Sequence, residues 1–124
     1  MPVVNRDLTA AIVTATATAA AATATATLSS ATGRRACIQG FSITGLGATA
    51  TAAVEATVSG GPVTMKFLVV VPAGVTVGLT PLTILFGGDN GLPASADATD
   101  IVVTVPSFGS GNTKAVVSAW GKLI

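Results

Sequence analysis

The fold turns on residues 63–86, VTMKFLVVVPAGVTVGLTPLTILF, two strongly apolar runs separated by a loop that holds Pro72, Gly74 and Gly78. Both runs are rich in β-branched and aromatic residues, are too short for ordinary helices and are bounded by glycine and proline. They are therefore expected to be strands, paired with one another. In the first run Val63, Met65, Phe67, Val69 and Val71 share one face, while the other face begins polar at Thr64 and Lys66 and turns apolar at Leu68 and Val70. A strand with one apolar face and half of a second needs cover on both sides, part of it expected from another subunit.

Working outward, the preceding segment shows clean period-two alternation. Ala52, Val54, Ala56 and Val58 are set against Thr51, Glu55 and Thr57, and Ser59-Gly60-Gly61-Pro62 turns the chain back, which predicts a hairpin into the apolar run. Before it, residues 36–44 read as a strand with Cys37, Phe41 and Ile43 on one face and Gln39 as the exception, closed by Gly45 and Gly47. Residues 29–35, SSATGRR, read as a turn in which Gly33 supplies a positive φ.

Residues 8–28 admit three readings. There are 21 residues without a charge, ten of them Ala and seven Thr, with Leu8, Ile12, Val13 and Leu28 as the only large apolar groups. Length and Arg6 in front favour a transmembrane or signal segment, but bulky hydrophobes are few. The alanine run 19–22 favours a helix, which the β-branched threonines oppose. Strict alternation of Thr14, Thr16 and Thr18, then of Thr23, Thr25 and Thr27, favours strands. The four alanines move the threonines from even to odd positions, as a bulge or bend between two strands would.

Downstream, residues 87–98 are rich in turn formers and are expected to be a surface loop. Residues 100–105 alternate again, with Ile101, Val103 and Val105 on one face, until Pro106. Residues 113–120 alternate Ala115, Val117 and Ala119 with Lys114, Val116, Ser118 and Trp120. About eight strand segments and no amphipathic helix predict an all-β, jelly-roll-like antiparallel β-sandwich. An immunoglobulin-like sandwich is the rival, but the paired cysteines and mid-chain tryptophan of that fold are missing. The domain organisation expected is an extended arm over residues 1–8 and a single sandwich over residues 9–124.

Composition restricts function. Half of the residues are hydrophobic and only 9% are charged, against about 25% in an ordinary soluble domain. Such a chain suits packing in an assembly. The net charge of +1 and the lone Arg34-Arg35 pair leave no nucleic-acid footprint. A single cysteine precludes an intrachain disulfide, and Cys37 reads as a buried small hydrophobe. The absence of histidine and tyrosine removes the commonest general base and metal ligand, so no enzyme, cofactor or metal centre is expected.

Individual candidates weigh toward plain readings. Asp89, Asp97 and Asp100, with Asn90, could offer oxygen ligands to calcium, but their spacing is unlike an EF-hand loop. Arg34 and Arg35 could meet a phosphate or a partner carboxylate, against the commoner solvated strand entrance. Gly87-Gly88 and Gly109-Ser110-Gly111 lack the helix and lysine of a phosphate loop. The abundant serines and threonines lack an activating base. Trp120 could cap the core, anchor a subunit or stack on a sugar.

From residue 37 to residue 123 the chain resembles the jelly-roll decoration, or cement, proteins of tailed-bacteriophage capsids. The marks are PAG at residues 72–74, TPL at 80–82, PAS at 93–95 and FGSGN at 108–112. The resemblance implies a non-enzymatic virion protein on the outer capsid surface, present in the host cytoplasm during assembly. It further implies a homotrimer bound to the major capsid protein, without nucleic acid or membrane. In that setting Val3, Val4, Arg6, Asp7 and Leu8 are expected to bind the capsid, and Leu68, Val70 and Trp120 to form the oligomer interface. Two other classes remain: a receptor- or carbohydrate-binding β-sandwich of a phage tail or spike, tested by glycan arrays, and a secreted bacterial surface protein, tested by the mass of the mature chain.

Overall fold

A computed structural model describes residues 11–20, 22–46, 52–71, 82–87, 91–107 and 114–124. They form nine strands and no helix: β1 (Ala11–Ala19), β2 (Ala24–Leu28), β3 (Ala36–Leu46), β4 (Ala52–Ser59), β5 (Met65–Val71), β6 (Leu82–Leu85), β7 (Leu92–Pro93), β8 (Ile101–Val105) and β9 (Lys114–Leu123). Two antiparallel sheets pack as a sandwich. Sheet A runs β1-β9-β3-β6, with β7 also paired to β3, and sheet B runs β2-β8-β4-β5.

The pairings nest. β4 pairs with β5, β3 with β6, β2 with β8 and β1 with β9. A long antiparallel ribbon rolled on itself in this way is a jelly roll, and the contacts β3 to β9 and β4 to β8 stitch its successive turns. The hairpin expected at residues 59–62 is present, with Val58 opposite Met65.

The two apolar runs of residues 63–86 are strands, but they are not paired with each other. β5 lies in sheet B against β4, and β6 lies in sheet A against β3. A hairpin would have left the inner faces of both runs in one sheet; placing them in opposite sheets lets Met65, Phe67 and Val69 face the second sheet across the core.

The alanine run marks a change of sheet. Thr14, Thr16 and Thr18 of β1 project from sheet A, and after the crossing Thr25 and Thr27 of β2 project from sheet B, so the parity shift keeps alanine inward in both. The inward positions of β2, β8 and β9 are filled by Ala24, Ala26 and Leu28, by Ile101, Val103 and Val105, and by Ala115, Val117 and Ala119. The rest of the core comes from Ala36, Ile38, Phe41 and Ile43 of β3 and from Ala56, Val58 and Val69.

Two assignments differ from the sequence reading, one of a face and one of an element. The register between β3 and β9 slips between Ile38 and Gly40, and this irregularity reverses parity within the strand. Cys37, opposite Lys122, consequently points to the outer side of sheet A, whereas Phe41 and Ile43 point inward. Cys37 is nonetheless fully buried, between Lys122 of β9 and Pro93 of β7. Residues 87–98 are also more than loop. β7 pairs with β3, Ala94 is buried, and its N–H donates to the Ala36 carbonyl at 2.7 Å.

The turn at residues 31–34 is as expected, with an isolated bridge between Ala31 and Arg34 and Gly33 at φ 73°. That region is left-handed, where a side chain is strained.

Candidate functional site

Among the described residues no three acidic, histidine or cysteine side chains converge on a point that could hold a metal ion. The outer surfaces of the two sheets differ in what they present.

On the outer face of sheet B, Leu68 stands 67% exposed directly opposite Glu55 on β4. Glu55 Oε2 lies 3.5 Å from Lys66 Nζ, both well exposed, a pair of the kind that contributes at most about 1 kcal/mol. The apolar second face expected for this strand is thus open at Leu68, beside one ion pair. The side chain of Val70 lies outside the described residues.

Sheet A presents ordered rows, set by its register. Across the sheet, Thr16 faces Ser118, Ser118 faces Ser42 and Ser42 faces Thr83, a line of four hydroxyls over four strands. The Thr16 and Ser118 hydroxyls are 3.4 Å apart. On one side runs Thr18, Val116 and Thr44; on the other runs Thr14, Trp120, Gly40 and Leu85. These three rows contain no charge. Ile12 and Leu85, at 79% and 72% exposure, stand at its two margins.

Trp120 lies on this outer face, half-buried, and is not part of the core between the sheets. Its ring occupies the space above Gly40. A Cβ there would meet Trp120 Cζ2 at 2.5 Å and the Ile84 carbonyl oxygen at 2.9 Å, so any side chain at position 40 would displace the indole. Leu68 and Trp120 consequently stand on opposite sides of the sandwich.

The remaining candidates are tied into the fold. Asp100 accepts from the Ser30 N–H at 2.7 Å and from its hydroxyl at 2.9 Å. The backbone donor and then the side-chain donor hold the Asp100 carboxyl below its usual range. Asp97 Oδ1 lies 3.5 Å from Arg35 Nε. Arg34 donates from Nη2 to the Leu123 carbonyl at 3.2 Å, and the backbones of Arg35 and Ile124 exchange two hydrogen bonds of 2.9 Å. The arginine pair is therefore a clasp on the end of β9, more than a solvated strand entrance. Burial pushes the Cys37 thiol up, partly opposed by the charges of Lys122 and Arg35, so the group is the reverse of an activated nucleophile.

Val3, Val4, Arg6, Asp7 and Leu8, with Asp89 and Asn90, lie outside the described residues. Sequence reasoning missed the transverse hydroxyl line. The alternating threonines of β1 were its one visible signal, because Ser42, Thr83 and Ser118 join them only through long-range register. No family model, curated protein or solved structure matches the chain.

Proposed function

We propose that this chain is a non-enzymatic structural protein of a virion, a decoration or cement protein that attaches to the outside of a bacteriophage head and stabilises it. The observation that carries the reading is a stretch of the outer face of sheet A, three adjacent rows of hydroxyl and apolar groups without a charge, bordered by Lys122 in the next row, on the broad side of a jelly roll. A solitary protein protects such a surface with charge; a protein that works in a shell leaves it free to pack. The resemblance to jelly-roll cement proteins supports the same reading.

In this proposal the partner is the major capsid protein, and the protein itself is a homotrimer. Leu68 and Trp120 stand on different outer faces, so a head-to-tail contact would join unlike patches, each copy offering one and receiving the other, and the trimer forms where the rotation between copies closes the ring. Val70 joins Leu68 in that contact. The arm residues Val3, Val4, Arg6, Asp7 and Leu8 attach to the head. Several weak contacts within one oligomer reinforce one another, since each bound copy holds the others at high effective concentration. The protein resides in the host cytoplasm until assembly and then on the virion surface.

The test is binding to undecorated heads, measured for the full chain and for a chain lacking residues 1–7, with the oligomeric state followed by light scattering. Saturable binding that weakens on arm deletion, by a trimer of unchanged thermal stability, is the expected result. A chain that ignores heads of every kind overturns the reading.

A carbohydrate-binding sandwich is favoured by one observation, the indole of Trp120 spread over Gly40 beside a line of hydroxyls. Aromatic faces amid hydroxyl donors are how proteins hold pyranose rings. A glycan array probed with the wild-type chain and with Trp120→Ala separates this reading from the first.

A further inference from the structure

A jelly roll leaves the edges of its two sheets open, and unpaired N–H and C=O groups on an edge invite another strand. Four of the five edge elements of this molecule carry a device that discourages pairing. β5 bears Lys66, β6 is four residues long, β7 is two residues long and contains Pro93, and β2 has only five residues. β1 carries none. It has nine residues, AIVTATATA, without a charge, a proline or a glycine, and among the described residues it pairs with β9 alone.

We propose that β1 is a docking edge for β1 of a second copy of this chain, the two strands running antiparallel about a two-fold axis through Ala15. The sequence is self-complementary in that register. Centring on Ala15 sets Ala11 against Ala19, Ile12 against Thr18, Val13 against Ala17 and Thr14 against Thr16, so all nine residues of each strand find a partner. The pleat is preserved as well. Even positions, which point to solvent, meet even positions, and odd positions, which are half-buried, meet odd positions.

A shift of one residue would set threonine against inward alanine along the whole strand. A shift of two keeps the faces but strands residues at both ends. The cross-strand partners are also favourable in kind, because threonine pairs on a sheet face are among the stabilising combinations and no like charges oppose. The remaining exposed area of Val13, Ala15 and Ala17 is covered by the same contact, and the hydroxyl rows of sheet A continue across the axis into the second copy. The occupant is another β1 because a neutral partner strand of nine residues with matching parity is what this chain itself supplies. The contact is independent of the Leu68 face and of any head.

Sedimentation velocity of the purified chain tests it, beside Thr14→Lys/Thr16→Lys, whose lysines face solvent and so leave the fold intact but oppose each other across the axis. The wild type is expected to associate in a two-fold step in addition to the proposed trimer, and in Leu68→Asp, which removes the trimer contact, that step runs from monomer to dimer. The double variant should weaken that step at least about tenfold with an unchanged circular dichroism spectrum. Leu68→Asp should not alter it.

A second measurement stands if the lysine variant misfolds. Directly opposed residues of antiparallel strands have Cα atoms about 4.5–5.5 Å apart, within disulfide range, so Ala15→Cys should cross-link on oxidation while Thr25→Cys on β2 should not. A wild type that stays monomeric up to ~1 mM, association indifferent to the two lysines in a folded variant, or cross-linking equal at the two cysteine positions overturns the proposal.

Discussion

One end of the sandwich is filled by phenylalanine and the other by alanine. At the first end Phe41 of β3 meets Phe67 of β5 edge-on, with ring centroids 5.4 Å apart at 65°, and Phe86 at 6.1 Å. At the second, Ala15 and Ala17 of β1, Ala24 and Ala26 of β2 and Ala115 of β9 line the interior, and Ala119, directly opposite Phe41, lies where the two regions meet. Sheet separation follows side-chain size. The backbones of β2 and β9, in opposite sheets, approach within 8 Å Cα to Cα, against a typical spacing of about 10 Å between packed sheets. The phenylalanine end is a conventional core held by apolar area. The alanine end buries less area per residue and relies on close approach and on the ladder β1-β9.

The largest expected effect breaks the first end. Phe41 is fully buried and touches both other rings, so Phe41→Ala should cost about 3–5 kcal/mol in chemical denaturation, the transfer free energy plus the cavity left behind. At the alanine end the informative change runs the other way. Ala26→Leu inserts volume where the sheets are closest and should cost about 1–3 kcal/mol through overpacking, whereas the same enlargement would be absorbed more easily between sheets set further apart. A measured cost near zero would mean that the alanine end is loosely packed.

A smaller stability effect is expected on the outer face of sheet B. Leu68→Asp removes an exposed side chain and adds a charge opposite Glu55, so the change should be within about 1 kcal/mol. Its proper readout is light scattering, in which self-association through this face should be lost while the thermal midpoint barely moves.

The smallest effect concerns Asp100, whose link to Ser30 ties the start of β8 to the end of β2 at the alanine side. Its carboxyl is held below the ordinary aspartate value of about 3.9. A depressed native pKa means that the unfolded chain binds the proton more readily. The contribution is therefore present above the ordinary value and is lost as pH falls through the native one. Thermal melts of wild type and Asp100→Asn should differ at neutral pH and converge in acid; parallel curves would show that the contact is indifferent to charge.

How much of this was legible beforehand depended on the range of the interaction. Alternation exposed β8 and β9 with the residues that prove buried grouped on one face, since one residue in two faces the interior whatever strand lies alongside, and at β2 it favoured a strand over the helix and membrane readings without naming its inner face. It failed at Cys37, where an irregularity near Gln39 reverses the parity on which the pattern depends, and at Leu92–Pro93, a strand too short to have a period. For the interaction surface, the open position of Leu68 was readable from the half-apolar second face of its strand. The place of Trp120 over Gly40 was not, because nothing local links positions 80 residues apart.

The amino-acid sequence by itself determined that this protein is a β-sandwich without ordinary surface charge: β-branched alternation, frequent turn residues and 9% charged groups admit little else. Only the tertiary structure decided which strands share a sheet. It sent the two halves of residues 63–86 to opposite sheets, and it assembled Thr16, Ser118, Ser42 and Thr83 into one line. The physical reason is that the pleat is a property of each strand alone, whereas pairing is selected among many distant partners by how well the whole core closes.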